Sequence, residues 1–406
     1  MLRRWATPVI VAAFVMAGDY KGAAVLARLP VDLTLALAVI VLALCGWRII
    51  RAMRLPLALG GVLIGFIVLV PAALLAPHTT YATVKVERFF TLTLLAACAP
   101  VLLIQGISDV RRFVWSWAFV CLAVASVAIM FPQHASPSVG AQLTGIGSNT
   151  IALGRSAGLV IVVVVLAVMW RQLRLLLALP MLGIATYSLL QSGSRGPLVA
   201  AALALAAVLT LAPRRPRLIR VLGLVAVVGF GAYYAFHAAP EDSQQRLIGL
   251  LSGQLDTSAT TRIQLYHLAW HQTLIAPLGS GLGSFATIAP TGFFYPHDIG
   301  LEVLSEAGLV FGGAFIAWLA WRLLRARRLA FGFTGSAIFG ILTFTLVNAI
   351  VSGDLNDNRT LFFAIGLSAA TAAVYPATAR ALRLAKRAPV EARPMDTVPV
   401  LHVPSD

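Results

Sequence analysis

Residues 329–353 of this chain read LAFGFTGSAIFGILTFTLVNAIVSG, without one Lys, Arg, Asp or Glu. Residues 360–379, TLFFAIGLSAATAAVYPATA, are equally free of formal charge. Crossing the hydrocarbon of a bilayer takes about 20 apolar residues, so each stretch is long enough to span a membrane. Of the 406 residues 59% are hydrophobic and 11% are charged, which is too apolar for a water-soluble core. The sequence therefore predicts an all-α polytopic membrane protein and excludes an ordinary globular domain.

The apolar runs between charged or Pro/Gly breaks indicate about twelve transmembrane helices. One large periplasmic loop is predicted at residues 237–296, between the ninth and tenth helices. Helices 1–9 then occupy residues 1–236 and helices 10–12 occupy residues 297–387. The tail 388–406 has four prolines and no periodicity, which predicts a disordered cytoplasmic segment. The predicted helix centres are near Val11, Val39, Ile67, Leu95, Leu122, Val163, Ala185, Leu203, Ala226, Ala314, Leu342 and Ala369.

The distribution of basic residues predicts the orientation in the membrane. With the N-terminus inside, 22 of the 31 Lys and Arg residues fall in the predicted inner loops, as the positive-inside rule requires. Both termini are then cytoplasmic and the location is the bacterial inner membrane. The net charge of +16 is explained by orientation and by contact with anionic membrane lipids, so no nucleic-acid partner is needed. Cys45, Cys98 and Cys121 lie in predicted helices, where they are interpreted as small apolar packing residues without disulfides.

The predicted periplasmic loop contains two ordered features. Residues 261–274 have the pattern of an amphipathic helix, which would lie along the outer membrane interface. Residues 277–285 read PLGSGLGSF, and such alternating glycines allow either a flexible turn or a close approach of the backbone to a ligand. The apolar positions of the helix, at spacings of three and four, are Ile263, Tyr266, Trp270 and Leu274.

Three arginines fall at the predicted outer ends of helices. Arg155 begins the sixth helix, Arg195 lies in SGSRGP at residues 192–197, and Arg262 opens the amphipathic helix. Guanidinium groups stay charged and donate paired hydrogen bonds to phosphate, so the set suggests an anionic ligand. The alternative for each is an interfacial arginine that reaches to lipid headgroups.

His297 follows a proline at the predicted start of the tenth helix, with Glu302 and Glu306 on one face of its first turns. A neutral imidazole accepts a proton from a hydroxyl nucleophile, although a lone histidine at such a position is more often structural than catalytic. The two carboxylates are expected either to pair with Arg195 or Arg262 or to form hydrogen bonds between helices. Asp354 and Asp357 suit a solvated helix cap better than a metal site, because hard cations gather more oxygen ligands.

Taken in order, these motifs resemble the O-antigen ligase family and the related Wzy-type polysaccharide polymerases. The matching segments are residues 192–197, Thr261 and Arg262 followed by Trp270, the glycine turn, and residues 296–302. One departure is Asp298, because relatives often carry Asn after the histidine, which leaves the role of this neighbour open.

The resemblance implies a metal-independent, inverting membrane glycosyltransferase without a cofactor, acting on the periplasmic face in lipopolysaccharide biosynthesis. The donor would be a glycan on undecaprenyl pyrophosphate, and the acceptor of a ligase would be the lipid A core oligosaccharide. His297, Arg262 and Arg195 would be catalytic. The residues expected to bind substrate are Arg155, Glu302, Asp298, Gly281 and Trp270.

Two alternatives to the ligase remain open at this stage. A polymerase would use the same donor and the same arginines. A transporter for a lipid-linked or anionic solute would instead carry polar residues in several helix centres and two similar halves.

Overall fold

The computed structural model of the protein describes residues 3–20, 32–134, 142–144, 149–211 and 257–387, with isolated positions between residues 229 and 249. Most of these residues are helical. The helices are α1 Arg3–Ala17, α2 Leu33–Ala52, α3 Ala58–Val68, α4 Val70–Leu74, α5 Thr80–Arg88, α6 Leu94–Leu103, α7 Ile107–Met130, α8 Thr150–Met169, α9 Leu175–Gln191, α10 Arg195–Leu211, α11 Thr257–Ile275, α12 Phe285–Ile288, α13 Ile299–Arg328, α14 Gly332–Val351 and α15 Arg359–Arg387. A π-helical turn, Phe89–Thr93, joins α5 to α6, and strands Gln133–His134 and Leu143–Thr144 pair antiparallel.

Among the described residues, six helical stretches are long and apolar enough to cross a membrane: α2, the joined α5 and α6, α7, α8, α13 and α14. Five shorter apolar helices cover Arg4–Ala17, Ala58–Val68, Leu175–Gln191, Arg195–Leu211 and Arg359–Tyr375. Eleven of the twelve predicted centres lie inside one of these eleven stretches, so the all-α membrane class is confirmed.

Some predictions fall on residues that the structure does not describe. The twelfth centre, near Ala226, lies outside the described residues, as do most of residues 237–256 and the whole tail 388–406. The count of twelve spans, the periplasmic loop and the four-part division of the chain therefore stay predictions.

Small residues let the central helices approach closely. Residues in α8 are almost all buried, whereas α2 buries few of its side chains and forms the edge of the bundle. On α8, Gly158 leaves room for the ring of Phe344, and on α15, Gly366 packs against the backbone of Ala97. Such glycine contacts are typical of membrane helices, whose association depends on close packing because lipid is as apolar as the side chains.

Helix α13 is broken at Gly308, where the backbone has a φ of 75°. The glycine turn fills the break: the N–H of Leu309 donates to the carbonyl of Pro277 at 2.8 Å, and the N–H of Gly281 donates to the carbonyl of Glu306 at 2.9 Å. Backbone groups inside a membrane protein have to find protein partners, and the turn supplies them. A Cβ on Gly281 would collide with the carbonyl of Leu75. The glycines thus form a turn that is packed against α13 and Leu75 and is not flexible, and the predicted substrate contact of Gly281 stays a prediction.

The amphipathic helix predicted at residues 261–274 is present as α11. Its inner face carries Leu265 and Ala269, which are buried against α12 and the start of α13. Two apolar residues of the predicted stripe, Ile263 and Trp270, point outwards and are 39% and 46% exposed. An outward apolar stripe is what a helix resting on a lipid surface presents, so the interfacial placement stays a supported prediction.

The three cysteines are free thiols. Cys45 and Cys121 are buried and Cys98 is half-buried, all within apolar helices. Their interpretation as packing residues is confirmed.

Candidate active site

Two arginines bind the C-terminal end of α14. Nη1 of Arg262, on α11, donates to the carbonyl of Val351 at 2.9 Å. Nη2 of Arg155, near the start of α8, donates to the carbonyl of Ser352 at 2.8 Å. The last carbonyls of a helix lack partners within it and carry partial negative charge, so they attract guanidinium groups. One helix end therefore anchors both cations on adjacent carbonyls.

Arg195 is the first residue of α10, and α10 begins beside the C-terminal end of α14. The next residue, Gly196, packs against the side chain of Val351, and Gly154 of α8 leaves room for Pro197. The SGSRGP segment is thus wedged between the first turns of α8 and the last turn of α14. The structure brings the helix positions of all three predicted arginines to one end of the bundle.

His297 reaches a pocket at this end of the bundle. The pocket has a volume of about 300 Å³, and its lining includes Arg155, His297, Tyr295 and Asp357. The backbone of His297 has a φ of 64°, a strained conformation that is rare outside glycine and that recurs at functional sites. Its Nδ1 is buried, and among the described residues it has no hydrogen-bond partner. A buried ring nitrogen without a partner is available to bind a ligand in the pocket.

The surroundings of His297 keep its imidazole neutral. Burial, and next the positive charge of Arg262, lower its pKa to about 4, although Asp354 acts in the opposite direction. Burial also raises the pKa of Tyr295, whose ring lies 4.5 Å from the imidazole. At neutral pH the pocket therefore presents a neutral imidazole and a neutral phenol beside the guanidinium of Arg155 and the side chain of Asp357. Arg262 does not line the pocket, but it is close enough to act on the imidazole. The cations suit an anionic ligand, and the neutral imidazole suits a hydroxyl group.

We expect the imidazole of His297 to titrate near pH 4, about two units below an ordinary histidine. The measurement is an NMR titration of ring-labelled histidine in the purified protein, with His297→Gln used to assign the signal. In Arg262→Gln the midpoint is expected to rise, because the cation that disfavours the imidazolium is gone. A midpoint near 6.5 in the unmodified protein would contradict the placement of this ring.

Two further predicted substrate residues, Asp298 and Trp270, are not among the residues that line the pocket. Asp298 is the N-cap of α13, and its Oδ1 accepts from the N–H of Leu301 at 2.9 Å. This cap explains why Asp can stand where relatives often carry Asn, since both side chains cap helices well. Trp270 is on the outward face of α11. Contact of either residue with a substrate stays a prediction.

Glu302 and Glu306 pair with a lysine that the sequence analysis did not single out. Nζ of Lys85, on α5, lies 2.5 Å from Oε1 of Glu302 and 2.6 Å from Oε2 of Glu306. All three side chains are fully buried. Of the two expectations for these carboxylates, the structure shows bonding between helices, with Lys85 of α5 as the cation instead of Arg195 or Arg262. The three residues are called the buried charge cluster below.

The buried charge cluster is connected to the turn that follows α14. Oε1 of Glu302 also accepts from the N–H of Leu355 at 3.2 Å. In the same turn Asp354 accepts from the N–H of Asp357 at 2.6 Å and from the hydroxyl of Tyr81 at 3.0 Å. Asp354 thus stabilises the turn before α15 as expected, but it is 5% exposed, so the cap is buried rather than solvated.

No group of three or more His, Cys, Asp or Glu side chains in the described residues is arranged to hold a metal ion. The sequence did carry a signal for Lys85, because this residue lies in the candidate span Thr80–Leu103 and a lysine within a membrane span is costly and commonly functional.

The fold and the pocket define the class: a multi-pass membrane protein with a pocket, lined by Arg155 and His297, at one end of its helices. Within that class, residues 180–312 match the Wzy_C family model, described as O-antigen ligase, which confirms the family resemblance. The matched segment contains Arg195, Arg262 and His297, whereas Arg155 and Lys85 lie outside it. Members of this family are membrane enzymes of the glycosyltransferase type, which makes an enzyme the coarse assignment. No curated protein matches the chain.

Proposed function

We propose that the protein is an O-antigen ligase that transfers a glycan from undecaprenyl pyrophosphate to the lipid A core oligosaccharide. The reaction would take place on the periplasmic face of the inner membrane. The observation that carries the proposal is the convergence of Arg155, Arg262 and His297 at the end of α14. Nδ1 of His297 has no hydrogen-bond partner in the described part of the chain. The family match over residues 180–312 supports the same chemistry.

In the proposed reaction the imidazole of His297 takes a proton, whereas the arginines stabilise the leaving pyrophosphate. The acceptor hydroxyl attacks the anomeric carbon from the side opposite the phosphate, so a C–O bond forms and the configuration inverts. The bond between the anomeric carbon and the phosphate oxygen breaks, and its electron pair leaves with the lipid pyrophosphate. The hydroxyl proton passes to His297, which is neutral at working pH because of its low pKa.

Fixed arginines stabilise the charge that builds on the leaving pyrophosphate. Arg155 and Arg262 each use one N–H to hold a backbone carbonyl, which orients the guanidinium plane before substrate arrives. Preorganised donors of this kind do not have to reorient during the reaction, so they stabilise the transition state strongly. Nε of Arg155 is buried without a hydrogen-bond partner among the described residues, which makes it available to a phosphate oxygen.

A transporter of a lipid-linked or anionic solute is the second candidate. One observation favours it: the buried charge cluster lies within candidate spans, where charged side chains commonly mark the path of a solute or ion. However, Lys85 and Glu302 lie in the first turns of their helices, close to the pocket, whereas transport sites are usually near the bilayer midplane. The cluster therefore fits support of the pocket better than a path across the membrane.

The product of the purified protein tests the proposal. The protein is reconstituted with labelled undecaprenyl-pyrophosphate glycan, lipid A core and a chelator, and we expect label on the lipid A core. A longer glycan still on its carrier would mean a polymerase, and uptake of label into vesicles without a covalent product would mean a transporter.

His297→Ala is expected to fold normally and to lose transfer by a factor on the order of 10² to 10⁴, the usual contribution of a general base. His271→Ala is the matched control, because this histidine is exposed on α11 and does not line the pocket. Equal transfer by the two variants would overturn the role of His297.

A further inference from the structure

A second polar cavity lies at the other end of the bundle. It has a volume of about 510 Å³ and is formed where the start of α1, the end of α2, the end of α6 and the start of α7 meet. Helix α1 runs from this cavity to the candidate active site: Arg4, near its start, lines this cavity, and Gly18, just after its end, lines the candidate active site. At 1.5 Å per residue the two positions are about 21 Å apart along the helix. The cavity is therefore separate from the candidate active site.

The lining of this cavity is strongly basic. Arg4, Arg48, Arg51 and Arg112 line it, and Asp109 is the only acid among the lining residues. Both oxygens of Asp109 are already used: Oδ1 by Nη1 of Arg112 at 2.6 Å, and Oδ2 by the N–H of Gln105 at 3.1 Å. We call this cavity the basic pocket. Its remaining three arginines are available to an anionic ligand.

The basic pocket opens beside an apolar helix face. Trp47 lines the pocket and is 66% exposed, and Ile40, seven residues earlier on the same face of α2, is 44% exposed. At the level of the pocket Ile50 is 71% exposed. A ligand that fills the basic pocket and also covers the apolar face of α2 has to carry an anionic head and apolar chains.

We infer that the basic pocket binds the headgroup of an anionic phospholipid, whose acyl chains lie along the exposed face of α2. Basic pockets between membrane helices recognise phosphate-bearing lipid headgroups, and three arginines suit a headgroup with two phosphates such as that of cardiolipin. Arginine is the favoured partner because its planar fork donates paired hydrogen bonds to phosphate oxygens. The inference does not depend on the proposed glycan transfer.

Lipid binding by the purified full-length protein tests the inference. Cardiolipin is titrated into the protein in detergent, and bound lipid is counted by native mass spectrometry, with phosphatidylethanolamine as the neutral comparison. Each arginine near a headgroup contributes about fivefold in affinity, so Arg48→Gln with Arg51→Gln is expected to weaken cardiolipin binding about 25-fold. The matched control is Arg54→Gln with Arg174→Gln, which removes two exposed arginines that do not line the pocket. The control is expected to change binding by less than about twofold.

Asp109→Asn provides a test in the opposite direction. It removes the one acid of the basic pocket and releases Arg112, so cardiolipin is expected to bind about fivefold more tightly. A misfolded variant would not gain affinity. Equal losses in the control pair, or no gain with Asp109→Asn, would overturn the inference. So would inorganic pyrophosphate that binds as tightly as cardiolipin, because the site would then serve a soluble anion.

Discussion

Lys85→Met is expected to lower the free energy of unfolding by about 3–5 kcal/mol, the usual cost of removing one partner from a buried ion pair. The substitution leaves Glu302 and Glu306 fully buried without their cation. Methionine fits the space, so lost packing does not account for the effect. The measurement is thermal or denaturant unfolding of the purified protein in detergent.

A compensated variant separates charge from packing in this experiment. Lys85→Met combined with Glu302→Gln and Glu306→Gln removes all three charges, and we expect it to recover most of the lost stability, because replacing a whole buried ion cluster by neutral groups is often nearly neutral. If Lys85→Met unfolds like the unmodified protein, the buried charge cluster does not stabilise the fold as argued. If the triple variant is less stable still, hydrogen bonds rather than charge explain the loss.

The buried charge cluster also links the fold to the pocket. Lys85 joins α5 to α13, the helix that begins two residues after His297, and Glu302 joins α13 to the turn at Leu355. That turn directly follows the carbonyls that anchor Arg155 and Arg262. The cluster therefore holds the imidazole and the two guanidinium groups at fixed positions relative to one another.

Helix positions could be predicted from the sequence because each depends on a local pattern. An uncharged run such as residues 329–353 has to cross a bilayer or be buried, whatever its neighbours are, and α14 fills most of that run. The arginines of the site could also be predicted, since a charge at the end of an apolar run is visible without a fold. Their grouping at the end of α14 follows from helix packing.

Features that depend on distant contacts could not be predicted in the same way. Lys85 is more than 200 residues from Glu302 in the chain, so no spacing rule connects them. The break at Gly308 has no local signal either, because glycines such as Gly312 occur in the same helix without interrupting it. Only the hydrogen bonds from residues 277–281 make the broken form stable. For the same reason the sequence left open whether the glutamates pair with Arg195 or Arg262 or bond to another helix.

Arg262→Ala is expected to reduce glycan transfer by a factor on the order of a hundred or more, the usual effect of removing one preorganised donor to a developing anion. Arg262→Lys is expected to keep only part of the rate. A lysine provides only a point charge. Unlike arginine, it cannot donate to the carbonyl of Val351 and at the same time offer a planar pair of donors to phosphate. The measurement is kcat and KM for labelled donor with the reconstituted protein, and Gln264→Ala, an exposed neighbour on α11, is the control.

A structural role for Arg262 would give a different result. Losing the hydrogen bond to Val351 removes about 1 kcal/mol of stability, because the carbonyl at this helix end is left with a weaker partner. Unfolding measurements on Arg262→Ala should therefore show a small change, while kcat falls far more than that change explains. A loss of transfer that disappears when the variant is assayed at lower temperature, where it is fully folded, would mean that Arg262 only supports the end of α14. A persistent loss in kcat, with His297 still titrating as an intact ring, would mean that the guanidinium acts on the reacting phosphate itself.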